Sequence, residues 1–419
     1  MSRILIAASR YPWPPHRGDQ VRALQVAELL AAGHDVSVLV PETAPGDGTA
    51  VPANLPFRVV TYPRRPRLGA GAGLVRALLE RLPLQAGLFW NPALGRALRR
   101  LAPENDLVIL QLVRLAPHLI DLSGVPVLVD LVDSLALSTA RRAELDRRAL
   151  RPVLRLESRW LARWERRLVA ESAGAMVVSQ RDRDAIAQDL PMEVAGRLHV
   201  VPLAIPAAPA GPSEPPHPAG PPTLAITGNL GYFPTREGLM WLLDRVWPEL
   251  RRLRPDLRLV AAGARPGRRL RLRLRAAGAR LEEAPRDLRP ALTRATVALA
   301  PMRGGAGQPM KVLEAWAAGV PVVATPWAAA GTTARPGEDL LVAEDVAGWC
   351  RAVLALVDDA GLRARVAAAA RARLVADYSA EGVLRRLDAA VAAALHRPAG
   401  GEITASVRES SLPIPGADR

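Results

Sequence analysis

Short apolar runs alternate with longer amphipathic stretches along most of the chain. Such runs stand at residues 3–8, 35–40, 57–61, 107–112, 125–131 and 175–178, and again at 223–227, 258–262, 297–300, 320–324 and 340–342. They are rich in Val, Ile, Leu and Ala, and each is too short for a buried helix, so each reads as a strand covered on both faces. Helical patterns fall between them, at 19–32, 237–253, 268–277, 288–293, 309–318, 346–357, 361–376 and 380–395, with a long helix or helix pair at 141–171. Strand and helix alternating in this way predict parallel sheets built by right-handed crossovers.

One interruption divides the pattern. Residues 206–222 read PAAPAGPSEPPHPAGPP; proline at that density joins neither a ladder nor a helix interior, which predicts an extended interdomain connector. The expected class is α/β, with two doubly wound, Rossmann-like domains at 1–205 and 223–378 facing each other across a cleft. A helix at 379–396, positioned to return to the first domain, and a polar, disordered tail at 397–419 complete the expectation.

The stretch 296–326 carries the chemistry. It reads TVALAPMRGGAGQPMKVLEAWAAGVPVVATP: strand, glycine-rich loop, helix, strand. In an open parallel sheet, ligands sit in the loop after a strand's carboxyl end. Pro309 suits a first helical position, where its missing N–H costs nothing, and the free N–H groups beside it favour an anion. Lys311 and Glu314, three apart, share a helix face away from Leu313 and Ala317. There a cation and a carboxylate can hold a diphosphate and a ribose hydroxyl. Lys311 is the only lysine among 56 basic residues, and an ammonium is not interchangeable with a guanidinium at a phosphate. Without the flanking glycines an exposed i,i+3 ion pair would be the better reading; with them, a phosphate ligand is.

At 419 residues, 49% apolar and 23% charged, the chain can bury two cores. A net charge of +15 and a pI near 11.2 call for an anionic partner: nucleic acid, anionic lipid headgroups or a sugar nucleotide. Arginines spread over nearly every helix, with 4% aromatics and no recognition motif, argue against nucleic acid. The lone Cys350 excludes an internal disulfide framework and a cysteine metal cluster, in keeping with a reducing compartment. The opening apolar run is too short for a signal peptide, and no stretch is long and apolar enough to span a bilayer. The expected location is the cytoplasm, with peripheral contact at the inner face of the plasma membrane.

Other positions keep two readings each. Gly18, alone in the loop 9–18, is a turn residue or a place where a ligand nears the backbone. Asp130 and Asp133 stand at a strand end, where they can face an acceptor; Asp133 is the better placed to cap the next helix. Trp160, Trp164 and Leu168 recur at a spacing of four on a basic helix, which either packs onto a sheet or lies on an anionic membrane. Packing is slightly favoured, with Glu144, Asp146, Glu157 and Glu165 supplying internal ion pairs. Ser179 is a predicted N-cap.

These residues together resemble a known family. Tyr11-Pro12, Gly18 to Arg22, Gly33-His34-Asp35-Val36, Ser179 to Asp182, Gly228-Asn229-Leu230, Gly307 to Lys311-Val-Leu-Glu314-Ala and Gly319-Val-Pro-Val-Val are similar to the GT-B-fold glycosyltransferases of family 4 (group 1), over roughly residues 3–395. Gly231-Tyr-Phe-Pro234, Trp241 and Trp247-Pro248 add a likeness to the sugar transferases of bacterial exopolysaccharide export systems. The resemblance implies a retaining enzyme that transfers sugar from a nucleoside diphosphate sugar to a glycan or polyprenyl-linked acceptor. It implies Glu314 at the nucleotide ribose, Lys311 and the backbone of Gly305 to Gly307 at the diphosphate, and Gly18 across the cleft. The family's first motif glutamate falls on Ala306, its arginine and lysine near Asn229 and Arg236, and its first-domain histidine near Gln111, beside Arg114; Pro202-Leu-Ala replaces a proline-asparagine-glycine segment.

Lys311 and Arg236 are therefore the expected catalytic cations, with Gly18, Asn229, Arg303, Gly305, Gly307 and Glu314 at the donor and Asp130, Asp133 and Arg114 on the acceptor side. No metal and no cofactor beyond the donor are expected. The rival readings are a sugar-nucleotide epimerase of the same fold and a basic nucleic-acid or membrane-surface binder. A phosphorylase would need its pyridoxal lysine where Lys311 already serves the nucleotide.

Overall fold

The computed structural model describes residues 1–15, 17–43, 51–64, 69–122, 124–206 and 220–397. Most of the proline-rich stretch 206–222 and of the tail 397–419 lies outside them.

Ile4, Leu5 and Ile6 are fully buried on β1 (Arg3–Ala7), an inner strand of a seven-stranded parallel sheet. Around it lie β2 (Asp35–Pro41), β3 (Arg58–Tyr62), β4 (Leu107–Gln111), β5 (Val127–Val132), β6 (Gly174–Val177) and β7 (Leu198–Val200), in the order β3-β2-β1-β4-β5-β6-β7. A second parallel sheet holds β8 (Thr223–Thr227), β9 (Arg258–Gly263), β10 (Arg280–Glu283), β11 (Val297–Ala300), β12 (Val322–Ala324) and β13 (Leu341–Val342), in the order β10-β9-β8-β11-β12-β13. Each sheet has a buried apolar cluster on both faces, which explains its unbroken apolar runs. The doubly wound α/β architecture expected from the sequence is the one observed.

The strand order reverses at β1/β4 and at β8/β11, and the loops after those strands open at these switch points, where such sheets bind ligands. The helix Ala380–Leu395 places Val383, Leu387 and Val391 in the same buried cluster as Ile4, Ile6 and Leu30, so the last helix lies on the first sheet.

One alternative left open by the sequence is decided and three local expectations are corrected. Residues 141–171 divide into two helices, Leu135–Leu145 and Arg151–Glu171, because Asp146 ends the first and Pro152 fits only the opening turn of the second. The second buries Glu157, Leu161, Glu165, Leu168 and Val169, a stripe offset from Trp160 and Trp164, which are only half-buried. The helix expected at 237–253 begins at Phe233 and widens into a π turn at Leu242–Val246, just before Pro248, which has no N–H to donate to the preceding turn. Pro309 caps the helix Met310–Ala317 from outside, with Val312 N–H returning to its carbonyl at 2.9 Å.

Candidate active site

At the β8/β11 switch point the chain turns at Gly228, whose φ of +110° lies in the left-handed region that favours glycine. The helix Phe233–Trp241 then comes so close to the loop after β11 that a Cβ on Gly238 would stand 2.1 Å from the Pro301 carbonyl oxygen. Lys311 rises into this corner from the start of the helix Met310–Ala317. It is 9% exposed, and its Nζ donates to Thr235 Oγ1 at 2.9 Å. Its Cε would lie 3.9 Å from a Cβ built on Gly228. Burial lowers the ammonium pKa to about 8, with the nearby Glu314 charge opposing the shift. Burial likewise raises Glu314, against the pull of Lys311. The two share a face without a direct salt bridge, and the exposed ion-pair reading fails because Lys311 is buried.

The loop 303–307 leans on the first domain. Gly305 and Gly307 have φ of +99° and +73°. A Cβ on Gly305 would be 3.1 Å from Pro234 Cγ, and one on Gly307 would be 3.0 Å from Asp133 Cβ. Gly307 N–H donates to Asp182 Oδ2 at 3.0 Å, while its carbonyl accepts from Arg181 at 3.3 Å. Arg141 donates to the Arg303 carbonyl at 2.8 Å. Trp327 lies within 4.9 Å of both the Arg141 and the Arg181 guanidinium groups, and it donates its indole N–H to Gly305 O at 3.0 Å.

Two of the expected donor-site cations sit elsewhere. The Arg303 guanidinium pairs with Glu237 and covers the Trp241 ring at 5.4 Å; Arg236 covers Phe233 at 5.7 Å. Both line an outer pocket of about 510 Å³ together with Leu145 and Arg269, not the Lys311 corner. The physical reason is helical phase: Thr235 points inward and is buried, so Arg236, one residue on, points out. Exposed Asn229 shapes the turn instead, its Oδ1 accepting Gly231 N–H at 3.0 Å.

On the first domain, Gly18 opens the helix Gly18–Ala31, and a Cβ there would meet nothing within 4 Å, so the backbone is open to a ligand. Arg10 and Arg114 both pair with Asp19, at 2.9 and 3.0 Å, and both lie over the Phe89 ring. Gln111 donates to the Asp19 carbonyl at 2.8 Å. Asp130 does not face the cleft: it is 2% exposed and paired at 2.9 Å with buried Arg22, which also donates to the Pro202 carbonyl. Asp133 is not a cap. Ser134 caps the Leu135–Leu145 helix by accepting Leu137 N–H at 3.1 Å. The Asp133 carboxyl abuts Gly307 instead, and burial, then repulsion by Asp182, pushes its pKa up to about 7.

Of the four acids expected to form internal ion pairs, Glu144 pairs with Arg141 and Asp146 with Arg142, while Glu157 and Glu165 form none among the described residues. Glu157 accepts the N–H groups of Leu84 and Gln85; Glu165 accepts the Ser134 hydroxyl at 2.8 Å and Ala136 N–H at 2.9 Å, and burial raises it to about 8. Ser179 is the N-cap expected, accepting Asp182 N–H at 3.2 Å. Sequence reasoning missed Thr235 and Trp327, and it noted Arg181 and Asp182 only as part of the Ser179–Asp182 motif, without a role. Only Asp182 left a signal, as the acidic member three residues after a capping serine.

Residues 221–359 match the family described as Glycosyl transferases group 1. No curated protein matches the chain by sequence. Among solved structures, sucrose-phosphate synthase from Thermosynechococcus elongatus is similar with a TM-score of 0.69 at 17% identity, over 94% of this chain and 98% of that one. HepE of Anabaena in complex with UDP-glucose gives 0.63 at 13%, over 94% and 100%. The α,α-trehalose 6-phosphate synthase of Burkholderia multivorans gives 0.60 at 14%, over 94% and 100%. At these identities the likeness shows the fold. The chain thus has the two-domain GT-B fold, and its residues 221–359 match the glycosyl transferases of group 1.

Proposed function

We propose that the protein is a retaining glycosyltransferase that moves a sugar from a nucleoside diphosphate sugar to a glycan or polyprenyl-linked acceptor, in exopolysaccharide or cell-envelope glycan synthesis. One observation carries this: the chain's single lysine, Lys311, is buried at the second domain's switch point, held by Thr235 beneath the Gly228 turn. The group 1 match of the same domain and the UDP-glucose in the HepE structure support it. Retention, family 4 and the export-system role rest on the motif resemblance.

In this reading the bond between the anomeric carbon and the diphosphate oxygen breaks, and negative charge grows on the departing diphosphate. Lys311 opposes that charge in a water-poor corner, where one such preorganised contact contributes ~3 kcal/mol. Glu314 accepts a ribose hydroxyl, the Gly305–Gly307 backbone lies along the diphosphate, and Gly18 borders it from the first domain. Asp133 and Arg114 serve the acceptor side. Arg236, Arg303 and Asp130 have no part, since their side chains are engaged elsewhere. No described helix is long and apolar enough to cross a membrane; the proposed setting is cytoplasmic, at the inner face of the plasma membrane.

The test is to incubate the protein with UDP-, GDP- and ADP-sugars and a lipid-linked glycan acceptor, following nucleoside diphosphate release and the anomeric configuration of the product by NMR. Transfer with retained configuration supports the reading. Inverted product, or no turnover of any donor, contradicts it.

A further inference from the structure

The helix Gly69–Leu79 is turned inside out. Its outward positions are apolar, with Leu74, Val75, Leu78 and Leu79 exposed by 36, 56, 54 and 80%. They form two i,i+4 pairs on one face. The opposite face is made of small residues: a Cβ on Gly87 would lie 2.3 Å from the Gly73 carbonyl oxygen and 2.7 Å from Ala77 Cβ, so this helix sits tightly on the helix Leu84–Phe89. Packing is therefore complete on the inner side, and the leucines are left outside.

A second set of exposed aliphatic side chains stands at the start of the helix Arg151–Glu171. Glu157 accepts N–H from Leu84 and Gln85, which ties the helix Arg151–Glu171 to the same corner. Near its start, Leu150, Val153 and Leu156 are 42, 55 and 44% exposed. Between residues 147 and 163 they are interleaved with six arginines and one acid, Glu157, which is buried. An aliphatic face of this extent on a monomer marks an interaction site. Its most exposed apolar side chains are aliphatic, and the neighbouring Trp160 and Trp164 are half-buried, so the face lacks the fully exposed Trp or Tyr anchor that dominates protein–protein hot spots. Aliphatic residues framed by arginine fit the acyl boundary and anionic headgroups of a bilayer.

We propose that this face docks the protein on an anionic bilayer. Its inner edge leads to the cleft: the helix Leu84–Phe89 ends at Phe89, whose ring lies under Arg10 and Arg114, the two partners of Asp19 beside Gly18. Docked this way, the acceptor mouth of the first domain opens at the lipid headgroups. That last step rests on the proposed lipid-linked acceptor; the docking itself does not.

Flotation of the full chain with vesicles of phosphatidylcholine, alone or mixed with phosphatidylglycerol, tests it. The protein should float only with the anionic vesicles and detach as salt is raised. Leu78→Asp with Leu79→Asp should lower the bound fraction by roughly tenfold or more, and Arg148→Glu with Arg155→Glu should remove the preference for anionic lipid. Thermal stabilisation by nucleoside diphosphates, measured on each variant, should be unchanged, which separates a failure here from a failure of the donor site. Equal flotation with both vesicle types, a leucine variant that binds like the parent, or a parent dimer that the leucine changes dissociate would overturn the proposal.

Discussion

Asp182, at the start of a first-domain helix, accepts the N–H of Gly307, in the glycine loop of the second domain, at 3.0 Å. The same carboxylate accepts Ser134 N–H at 3.2 Å, so one buried side chain joins the two loops where acceptor and donor are proposed to meet. Its truncation leaves two backbone donors buried and unpaired. Asp182→Ala should cost about 2–3 kcal/mol in urea unfolding and Asp182→Asn, which keeps an acceptor, about half of that. Equal stability of the alanine variant and the parent would remove the latch from the account.

Gly307 and Gly18 separate two uses of glycine. A methyl on Gly307 meets Asp133 Cβ at 3.0 Å from a backbone held at φ +73°, whereas one on Gly18 meets nothing. Gly307→Ala should therefore destabilise by about 1–3 kcal/mol, while Gly18→Ala should leave the melting temperature within experimental scatter. A raised donor KM in Gly18→Ala at unchanged stability would mark the backbone approach that the site reading assigns to it.

Lys311 trades stability for function. Its folded pKa of about 8 lies below the ordinary 10.5 because burial penalises the charge. Between those values the unfolded chain still holds the proton, so stability is lowest below about pH 8 and rises as pH climbs towards 10.5. Lys311→Met should be more stable than the parent at pH 7, on the order of 2 kcal/mol after the lost Thr235 hydrogen bond is subtracted. It should also flatten that pH slope. Chemical denaturation at pH 7 and pH 10 reads both effects.

Glu165 titrates in the opposite sense. Its folded pKa of about 8 lies above the ordinary 4.5, so the folded state keeps a proton that the unfolded chain has lost, and stability falls as pH rises from about 4.5 to 8. Glu165→Gln should match the parent near pH 5 and exceed it above pH 8. Glu165→Ala, which strands the Ser134 hydroxyl and Ala136 N–H, should cost about 2–3 kcal/mol even at pH 5. Asp133 and Asp182, both raised, add slope of the same sign.

Most strands legible in the sequence are covered on both faces and read as continuous apolar runs; the edge strands β3 and β13 are only partly covered but keep apolar residues enough to be read. β7 and β10 escaped because neither edge strand carries such a run: β7 has three residues and β10 is the charged run Arg280–Glu283. The Lys311 corner was legible because glycine, the lone lysine and a glutamate recur at helical spacing beside a buried strand. Asp130 and Asp133 were not separable. Val132 between them adopts φ +63°, and the β5/β6 register shifts there, so strand parity no longer tells which side chain faces in. The partners that decide their roles, Arg22 for Asp130 and Gly307 for Asp133, are distant in sequence. Tertiary pairing of that kind leaves no periodic trace, and the same holds for Arg303, which Glu237 turns outward.

Calorimetric titration of UDP, GDP and ADP into the parent and Lys311→Met proteins, between pH 6.5 and pH 9, tests the central claim most directly. One nucleoside diphosphate should bind the parent, weaken as pH passes about 8 and the Lys311 ammonium loses its proton, and bind Lys311→Met at least ~tenfold more weakly at pH 7. Binding by none of the three, or equal and pH-independent binding by both proteins, would contradict it.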